Sequence, residues 1–223
     1  ELALEAESSC RDQAQIRGCV RSLGMAAQAL LDLGQTSAAK LVAQDSATLA
    51  RAQGAPKDVA DVASVVTTAR VLAHLGLHDE AQAILPTSPP AEVRDAVGLD
   101  DPIGGMLAVK SRIVAARNPI VAVALARQVV DRVPPVLPWM QVRHLLDAAH
   151  TLVAAKDETA SNLVSRILQI LDGTPYRLLV MEASVVSSRL SPGGSAEITA
   201  NRLCVALDHE LGSPQGFKER WRV

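Results

Sequence analysis

The sequence predicts an all-α fold, an α-solenoid of about five antiparallel helical hairpins. Three observations indicate it. A short motif recurs five times along the 223 residues, at a spacing of roughly 40 residues that is typical of stacked helical hairpins. Residues that begin or stop helices lie between the predicted helices. No segment shows an alternation of apolar and polar residues that is stronger than its helical pattern.

The clearest copy of the motif is ARVLAHLGLHDEA, from Ala69 to Ala81. Gly76 suits the position just after a helix, where the backbone angle φ is often positive. Asp79 and Glu80 suit the first turn of the next helix, because the positive end of a helix dipole favours acidic side chains. Ala69 and Ala81 are small, as residues must be where two helix backbones approach closely.

The other copies follow the same register. Each has a small residue, an apolar residue three positions later and a turn position four further on. The five sets are Ala27, Leu30 and Gly34; Ala69, Leu72 and Gly76; Ser111, Val114 and Asn118; Ala149, Leu152 and Lys156; and Ser187, Leu190 and Gly194. The sequence therefore predicts a single domain over residues 1–223, with repeats at roughly 15–54, 57–98, 101–134, 138–173 and 175–212 and a tail at 213–223.

This set of small residue, leucine, glycine and later alanine resembles the tetratricopeptide-like (TPR-like) superfamily of helical repeats. The resemblance implies a right-handed solenoid that binds other molecules, and it carries no catalytic residue. The units exceed the standard repeat of about 34 residues, and such longer units are similar to repeats beside regulatory domains of bacterial signalling proteins. We therefore expect a non-enzymatic interaction module that binds a protein or peptide segment in its concave groove. The alternative is a ligand-sensing or regulatory domain of a larger bacterial signalling or transcription regulator.

Composition narrows the function classes. The net charge is −2, with 22 basic and 24 acidic residues, which implies no general affinity for nucleic acid or anionic membranes. No apolar run is long enough for a transmembrane helix, and no signal peptide is recognisable. We therefore expect a cytoplasmic protein. Because the chain begins at Glu1 rather than methionine, we also expect it to be a fragment of a longer protein.

The three cysteines, Cys10, Cys19 and Cys204, show no CxxC spacing. An odd number without that spacing favours buried free thiols in a reducing compartment over a disulfide or a metal site.

Local signals place the expected helix ends. Asp, Asn, Ser and Thr at a helix start accept hydrogen bonds from the backbone, whereas proline and glycine stop helices. The predicted caps are Thr36 or Ser37, Asp58, Asp101 with Pro102, Asn118 with Pro119, Asp157 and Ser195. The irregular segment 86–98 is interpreted as a simple connector, with a partner-binding lip as the alternative. The segment 134–138 is predicted to be a stiff spacer.

In repeats of this type, side chains of successive first helices line a concave groove. In this register the groove-facing positions hold Arg21, Gln28, Arg70, Arg112, Arg143 and His150. A row of guanidinium groups suits a carboxylate-bearing or acidic peptide, because arginine pairs with a carboxylate through two parallel hydrogen bonds. The alternative is that these are ordinary solvated charges, some of them paired with Asp32, Asp61 or Asp147.

Two patterns could carry chemistry, and a structural explanation is favoured for both. His74 and His78 have the spacing of a zinc site, but Gly76 interrupts the helix face between them. Asp147 and His150 form an i,i+3 pair that could serve acid–base chemistry, yet no nucleophile motif accompanies them. We expect no catalytic residue, no metal and no cofactor.

The ends of an open solenoid expose apolar faces that need caps or partners. Residues 1–15 are candidates to cap one end. The tail, which contains Phe217 and Trp221, is expected to form a final capping helix or a partly ordered end, or to dock on a second copy of the chain in a homo-oligomer.

Overall fold

The computed structural model describes residues 13–88, 90, 93, 101–132, 142–212, 214 and 216–221. Within these ranges the chain is helical and contains no strand, so the all-α prediction is confirmed. The helices are α1 (Gln13–Asp32), α2 (Thr36–Gln53), α3 (Val59–His74), α4 (His78–Ile84), α5 (Pro102–Ala115), α6 (Pro119–Arg132), α7 (Val142–Ala154), α8 (Ala160–Leu171), α9 (Arg177–Leu190), α10 (Ser195–Glu210) and α11 (Phe217–Trp221).

The odd-numbered helices from α1 to α9 form a continuous series. α1 contacts α3, α3 contacts α5, α5 contacts α7, and α7 contacts α9. Each even-numbered helix packs against the odd-numbered helix before it, and α11 packs against α10. The described chain therefore consists of five consecutive helix pairs followed by one short helix.

Small residues occupy the predicted positions of close approach. Completely buried, at 0% exposure, are Ala27, Ala69, Ser111 and Ala149. Ser187, in the fifth motif copy, is only half-buried. Apolar side chains fill the space between the helices in three clusters, which lie along α1 to α5, α5 to α9 and α9 to α11, and the third includes the aromatic rings of α11.

The turns after α1 and α3 follow the predicted glycine chemistry, since Gly34 and Gly76 have φ of 76° and 78°. Lys156 stands at the equivalent position after α7 and has φ of 55°, the one positive value among the described non-glycine residues. A side chain in this left-handed conformation is strained, so the turn geometry is kept there at some energetic cost.

Three predicted caps are confirmed. Asp58 accepts a hydrogen bond from the Asp61 backbone N–H at 2.8 Å, and Asp101 accepts one from Gly104 at 3.0 Å. Asn118 accepts one from the N–H of Val121 at 3.1 Å. Each side chain thereby satisfies a backbone donor that has no partner inside its own helix.

Other predicted caps are wrong or shifted. α2 begins at Thr36 itself, with Gln35 before it and no side-chain cap, and α10 begins at Ser195 after Gly194, again without one. Asp157 accepts from the Thr159 N–H at 3.0 Å, but α8 begins at Ala160. At Thr36 and Ser195 the turn places the hydroxyl residue inside the first helical turn rather than before it, whereas Asp157 lies too far before α8 to be its N-cap.

The C-terminal helix α11 is docked rather than free. Phe217 and Trp221 are buried against α9 and α10, in a cluster with Met181 and Cys204. The Trp221 indole N–H also donates to the backbone carbonyl of Asp32, at the end of α1, at 2.9 Å. The last helix therefore contacts the last helix pair and the first.

The cysteine prediction is wrong for one residue. Cys19 is disulfide-bonded, and its partner lies outside the described residues. Cys204 is free and buried, and burial raises the pKa of its thiol. An odd number of cysteines leaves at least one without a partner in the same chain but still allows one pair, and the absence of CxxC spacing does not exclude a disulfide.

Several predictions fall on residues outside the description, namely the capping role of residues 1–12, most of the segment 91–100 and the spacer 134–138. Before that gap, the Lys110 ammonium donates to the carbonyl oxygens of Pro86 and Thr87 at 3.0 and 3.4 Å, which ties the start of the irregular segment to α5. No helix in the described part of the chain is long and apolar enough to cross a membrane.

Removing the Trp221 side chain should destabilise the fold. Trp221→Ala deletes a buried indole and leaves the Asp32 carbonyl without its donor, so we expect the free energy of unfolding to fall by about 3 kcal/mol or more. Urea unfolding followed by circular dichroism measures the loss. Glu219→Ala, on the exposed side of the same helix, is the control and should change stability by less than about 0.5 kcal/mol. Equal midpoints for the two variants would show that α11 does not dock in solution.

Because Cys19 is disulfide-bonded, the number of cysteines that react with an alkylating reagent should depend on reduction. Alkylation of the urea-unfolded chain without reductant should label one cysteine, Cys204, and alkylation after reduction should label all three. Intact-mass spectrometry counts the added groups. If all three cysteines of protein isolated from its native compartment are alkylated before reduction, the disulfide is absent there and the prediction of free thiols is correct.

Candidate binding site

A buried carboxylate on α7 is the centre of a polar network between the odd-numbered helices. The Asp147 side chain is 2% exposed. Arg70 donates through Nε to its Oδ2 at 2.7 Å, and His74 Nε2 lies 3.0 Å from its Oδ1. The Arg112 guanidinium lies 3.7 Å from Oδ1, too far for a hydrogen bond but close enough for electrostatic attraction. One side chain on α7 therefore connects α3, α5 and α7.

The spacing of the polar residues along α3 and α7 places them on helix faces that point into the protein interior. Arg70 and His74 are four residues apart on α3, so they lie on the same face. His144, Asp147 and His150 follow at intervals of three residues along α7 and form a polar stripe among buried leucines and alanines.

The three histidines each join an arginine, and two of them also join a carboxylate. Arg70 Nη2 lies 2.7 Å from His144 Nδ1. Arg112 Nη2 lies 3.4 Å from Nδ1 of His74, whose Nε2 faces Asp147. Because arginine can only donate, the Nδ1 atoms accept and the proton of each neutral ring is on Nε2.

The network continues into α9. His150 Nε2 lies 3.3 Å from Glu182 Oε1, and Arg189 Nη1 lies 3.4 Å from His150 Nδ1. The rings of His74 and His150 meet edge to face, with centroids 6.2 Å apart. The Asp147 and Glu182 halves of the network are thus in direct contact.

A second carboxylate, Asp32 at the end of α1, faces the same interior. Arg143 Nη2 donates to its Oδ2 at 2.6 Å, and Gln28 Nε2 donates to its Oδ1 at 2.9 Å. The backbone carbonyl of Asp32 also receives the Trp221 N–H. This residue therefore joins α1, α7 and α11.

The environment sets the protonation states. Burial, together with the nearby positive charge of Arg112, lowers the pKa of His74 to about 4, and burial together with Arg70 lowers the pKa of His144 to about 3. Burial also lowers the pKa of His150. Burial alone would raise the pKa of Asp147 and Glu182, but Arg70 and His74 hold the Asp147 pKa well below its usual value, and His150 and Arg143 help lower that of Glu182 to about 2. At neutral pH the histidines are uncharged and the acids ionised.

A cavity of about 310 Å³ borders the network. Its polar walls are Arg70, Asp101, Arg143 and His144, and Asp101 is itself paired with Arg132 at 3.1 Å. The remaining walls are Ala63, Val66, Thr67, Pro102, Tyr176 and Leu179. The starts of α5 and α7 and parts of α3 and α9 therefore line a partly open space with both charged and apolar surfaces.

The predicted groove residues fall into two groups. The structure brings Arg70, Arg112, Arg143 and His150 into the network, and Gln28 joins its edge through Asp32. Arg21 is exposed on α1 and is not part of it. The pairing considered as the alternative occurs for Arg143 with Asp32 and for Arg70 with Asp147, whereas Asp61 lies 3.6 Å from Arg17. Their role in binding stays a prediction.

The network contains partners that the sequence did not indicate. The i,i+3 pairing considered for Asp147 and His150 does not form: Asp147 faces His74, and His150 faces Glu182. One signal was available, because Asp147 and Glu182 each interrupt an apolar run, and a lone acid there requires buried partners. Within the described ranges, no group of His, Cys, Asp and Glu side chains is arranged to hold a metal ion.

The chain matches no protein-family model, no curated protein and no solved structure. The resemblance to TPR-like repeats therefore stays a prediction, and the case for function rests on the geometry of the network and its cavity.

Acidification should weaken the fold before the carboxylates titrate. Because folding lowers the pKa of His74 and His144 below 6.5, the unfolded chain binds more protons as pH falls from about 7.5 to about 5. We expect a loss of up to about 2 kcal/mol per histidine at about pH 5, where Glu182, with a pKa of about 2, is still ionised.

Urea unfolding at several pH values measures this dependence. His74→Gln with His144→Gln should flatten it, since glutamine cannot titrate. His209→Gln, at an exposed position of α10, should leave it unchanged. An equally steep pH dependence in the double variant would contradict the assignment to the network histidines.

Proposed function

We propose that this chain is a non-enzymatic regulatory domain that binds a small ligand in the cavity beside the Asp147 network, within a right-handed TPR-like solenoid of antiparallel hairpins. The observation that supports it is the partly open cavity of about 310 Å³ whose walls come from four helices and the segment before α9. That volume is at the lower end of the range for small-molecule sites, which runs from about 300 to 1,000 Å³.

The state of the arginines favours a small ligand over an extended peptide. Arg70 and Arg143 already have carboxylate partners within the chain, at 2.7 and 2.6 Å. An acidic peptide would have to displace Asp147 or Asp32, and leaving a buried charge unpaired costs about 3–5 kcal/mol. A small molecule in the cavity can contact the outer faces of the same guanidinium groups without breaking either pair.

Protonation favours binding over catalysis. General acid–base catalysis is most efficient when the catalytic group has a pKa near the working pH. The pKa values of His74 and His144, about 4 and about 3, lie far below neutrality, and hydrogen bonds hold both rings in place.

A ligand in this cavity has a route to regulation. It would contact α3, α5, α7 and α9 at once, so it would stabilise one relative arrangement of these helices over others. An attached domain that depends on this arrangement would then respond to the ligand, as expected for part of a larger regulator.

A protein partner is the second candidate, on a different surface. Ile198 and Val205 lie seven residues apart on one face of α10 and are 53% and 63% exposed. A pair of exposed apolar residues at helical spacing is typical of a face that packs against another helix. The concave groove predicted from the sequence is less favourable for this role, because its arginines are engaged.

Filling the cavity should abolish uptake of the small ligand. Wild type, Ala63→Phe and the outer-surface control Ala52→Phe would be incubated with a small-molecule extract of the source cells and examined by native mass spectrometry. We expect a bound mass on wild type and on Ala52→Phe, and none on Ala63→Phe with unchanged helicity. Equal masses on all three chains, or none on any, would contradict the proposal.

A further inference from the structure

The interior holds more positive than negative charge. Four guanidinium groups, those of Arg70, Arg112, Arg143 and Arg220, face three carboxylates, those of Asp32, Asp147 and Glu182. The histidines between them are neutral at pH 7 because their pKa values are lowered. Among the described residues, one positive charge in this region therefore has no counter-charge.

The excess is located at Arg112 and Arg220. Asp147 takes its short hydrogen bond from Arg70, and Asp32 takes its own from Arg143. Arg112 approaches Asp147 only to 3.7 Å, and no described carboxylate lies within 4.0 Å of Arg220. The Arg220 guanidinium instead stacks on the neighbouring Trp221 ring, 4.5 Å from its centroid.

Both arginines have a buried donor without an acceptor. Arg112 Nη1 and Arg220 Nε are screened from solvent, and neither has a hydrogen-bond partner within the described chain. An unsatisfied donor on a charged group costs more than a neutral one, because it loses both hydration and a charge-assisted bond. Each nitrogen is therefore in an environment that an oxygen acceptor with negative charge would improve.

The two groups belong to one electrostatic environment. Arg112 and Arg143 are among the charges that act on Arg220, together with Glu182 and Asp32. The Arg112 side chain keeps 19% of its surface in contact with solvent, which leaves a path for exchange without unfolding.

We propose that the interior binds a small oxyanion, a phosphate or carboxylate group, between Arg112 and Arg220. The planar guanidinium fork suits both groups, because each presents two oxygens for parallel hydrogen bonds. The inference goes beyond the small-ligand function, since neither Arg112 nor Arg220 is among the cavity walls. The two proposals can therefore succeed or fail separately.

The experiment is calorimetric titration of the purified chain with inorganic phosphate and, separately, with succinate, in chloride buffer of matched ionic strength. We expect saturable binding of at least one anion to wild type. Arg112→Gln and Arg220→Gln should each weaken it by about 10- to 100-fold, as expected for loss of a hydrogen bond to a charged group. Arg117→Gln is the matched control, because Arg117 is exposed and pairs with Asp79, and it should bind as wild type does.

The outcomes separate the ligand classes. Tighter phosphate binding indicates a phosphorylated ligand, and tighter succinate binding indicates a carboxylate. Arg220→Lys, which retains the charge but not the fork, covers the case in which the glutamine variants fold poorly and should keep part of the affinity. No saturable binding of either anion, or unchanged affinity in the folded Arg112 and Arg220 variants, would overturn the proposal. Retained anion binding by Ala63→Phe would show that the site does not depend on the cavity.

Discussion

The ionised carboxylate of Asp147 is the interaction on which the interior depends. The carboxylate is buried on α7, and its partners are side chains of α3 and α5. Loss of that carboxylate would leave Arg70 buried without a counter-charge, which is far more costly than the pair is stabilising. The ion pairs therefore constrain how α3, α5 and α7 are rotated relative to one another, while the aliphatic clusters supply most of the stabilisation.

A second constraint connects elements that are far apart in the sequence. In a linear array of repeats each unit contacts only its neighbours, and stability is nearly a sum over repeats. Here the Arg143 pair with Asp32 spans 111 residues, and the Trp221 hydrogen bond to the Asp32 carbonyl spans 189. These contacts join the first helix to α7 and α11, so the helix pairs should unfold together more than those of a linear array would.

Local chemistry explains what could be predicted from the sequence. The caps at Asp58, Asp101 and Asn118 depend on a few consecutive residues, and so do the glycine turns after α1 and α3. The motif register also placed Arg70, Arg112, Arg143 and His150 on neighbouring inner positions. Their partners were not predictable in the same way, because the choice between Asp147 and Glu182 for a given histidine depends on how α3, α7 and α9 meet in three dimensions. The caps expected at Thr36 and Ser195 failed because a shift of one residue moves a side chain from before the helix into it.

The arginines of the network differ in how well the described carboxylates neutralise them. Arg70 and Arg143 each have a short contact to a carboxylate, as expected where ions serve only to fix helix positions. Apolar residues of similar volume would serve that purpose at equal or lower cost. Arg112 has only a long contact to Asp147, at 3.7 Å, and Arg112 and Arg220 each keep a buried donor with no hydrogen-bond acceptor in the described chain, while the three histidines are held neutral and add no charge. The oxyanion proposed between these two arginines would supply both the negative charge and the acceptors that their buried donors lack.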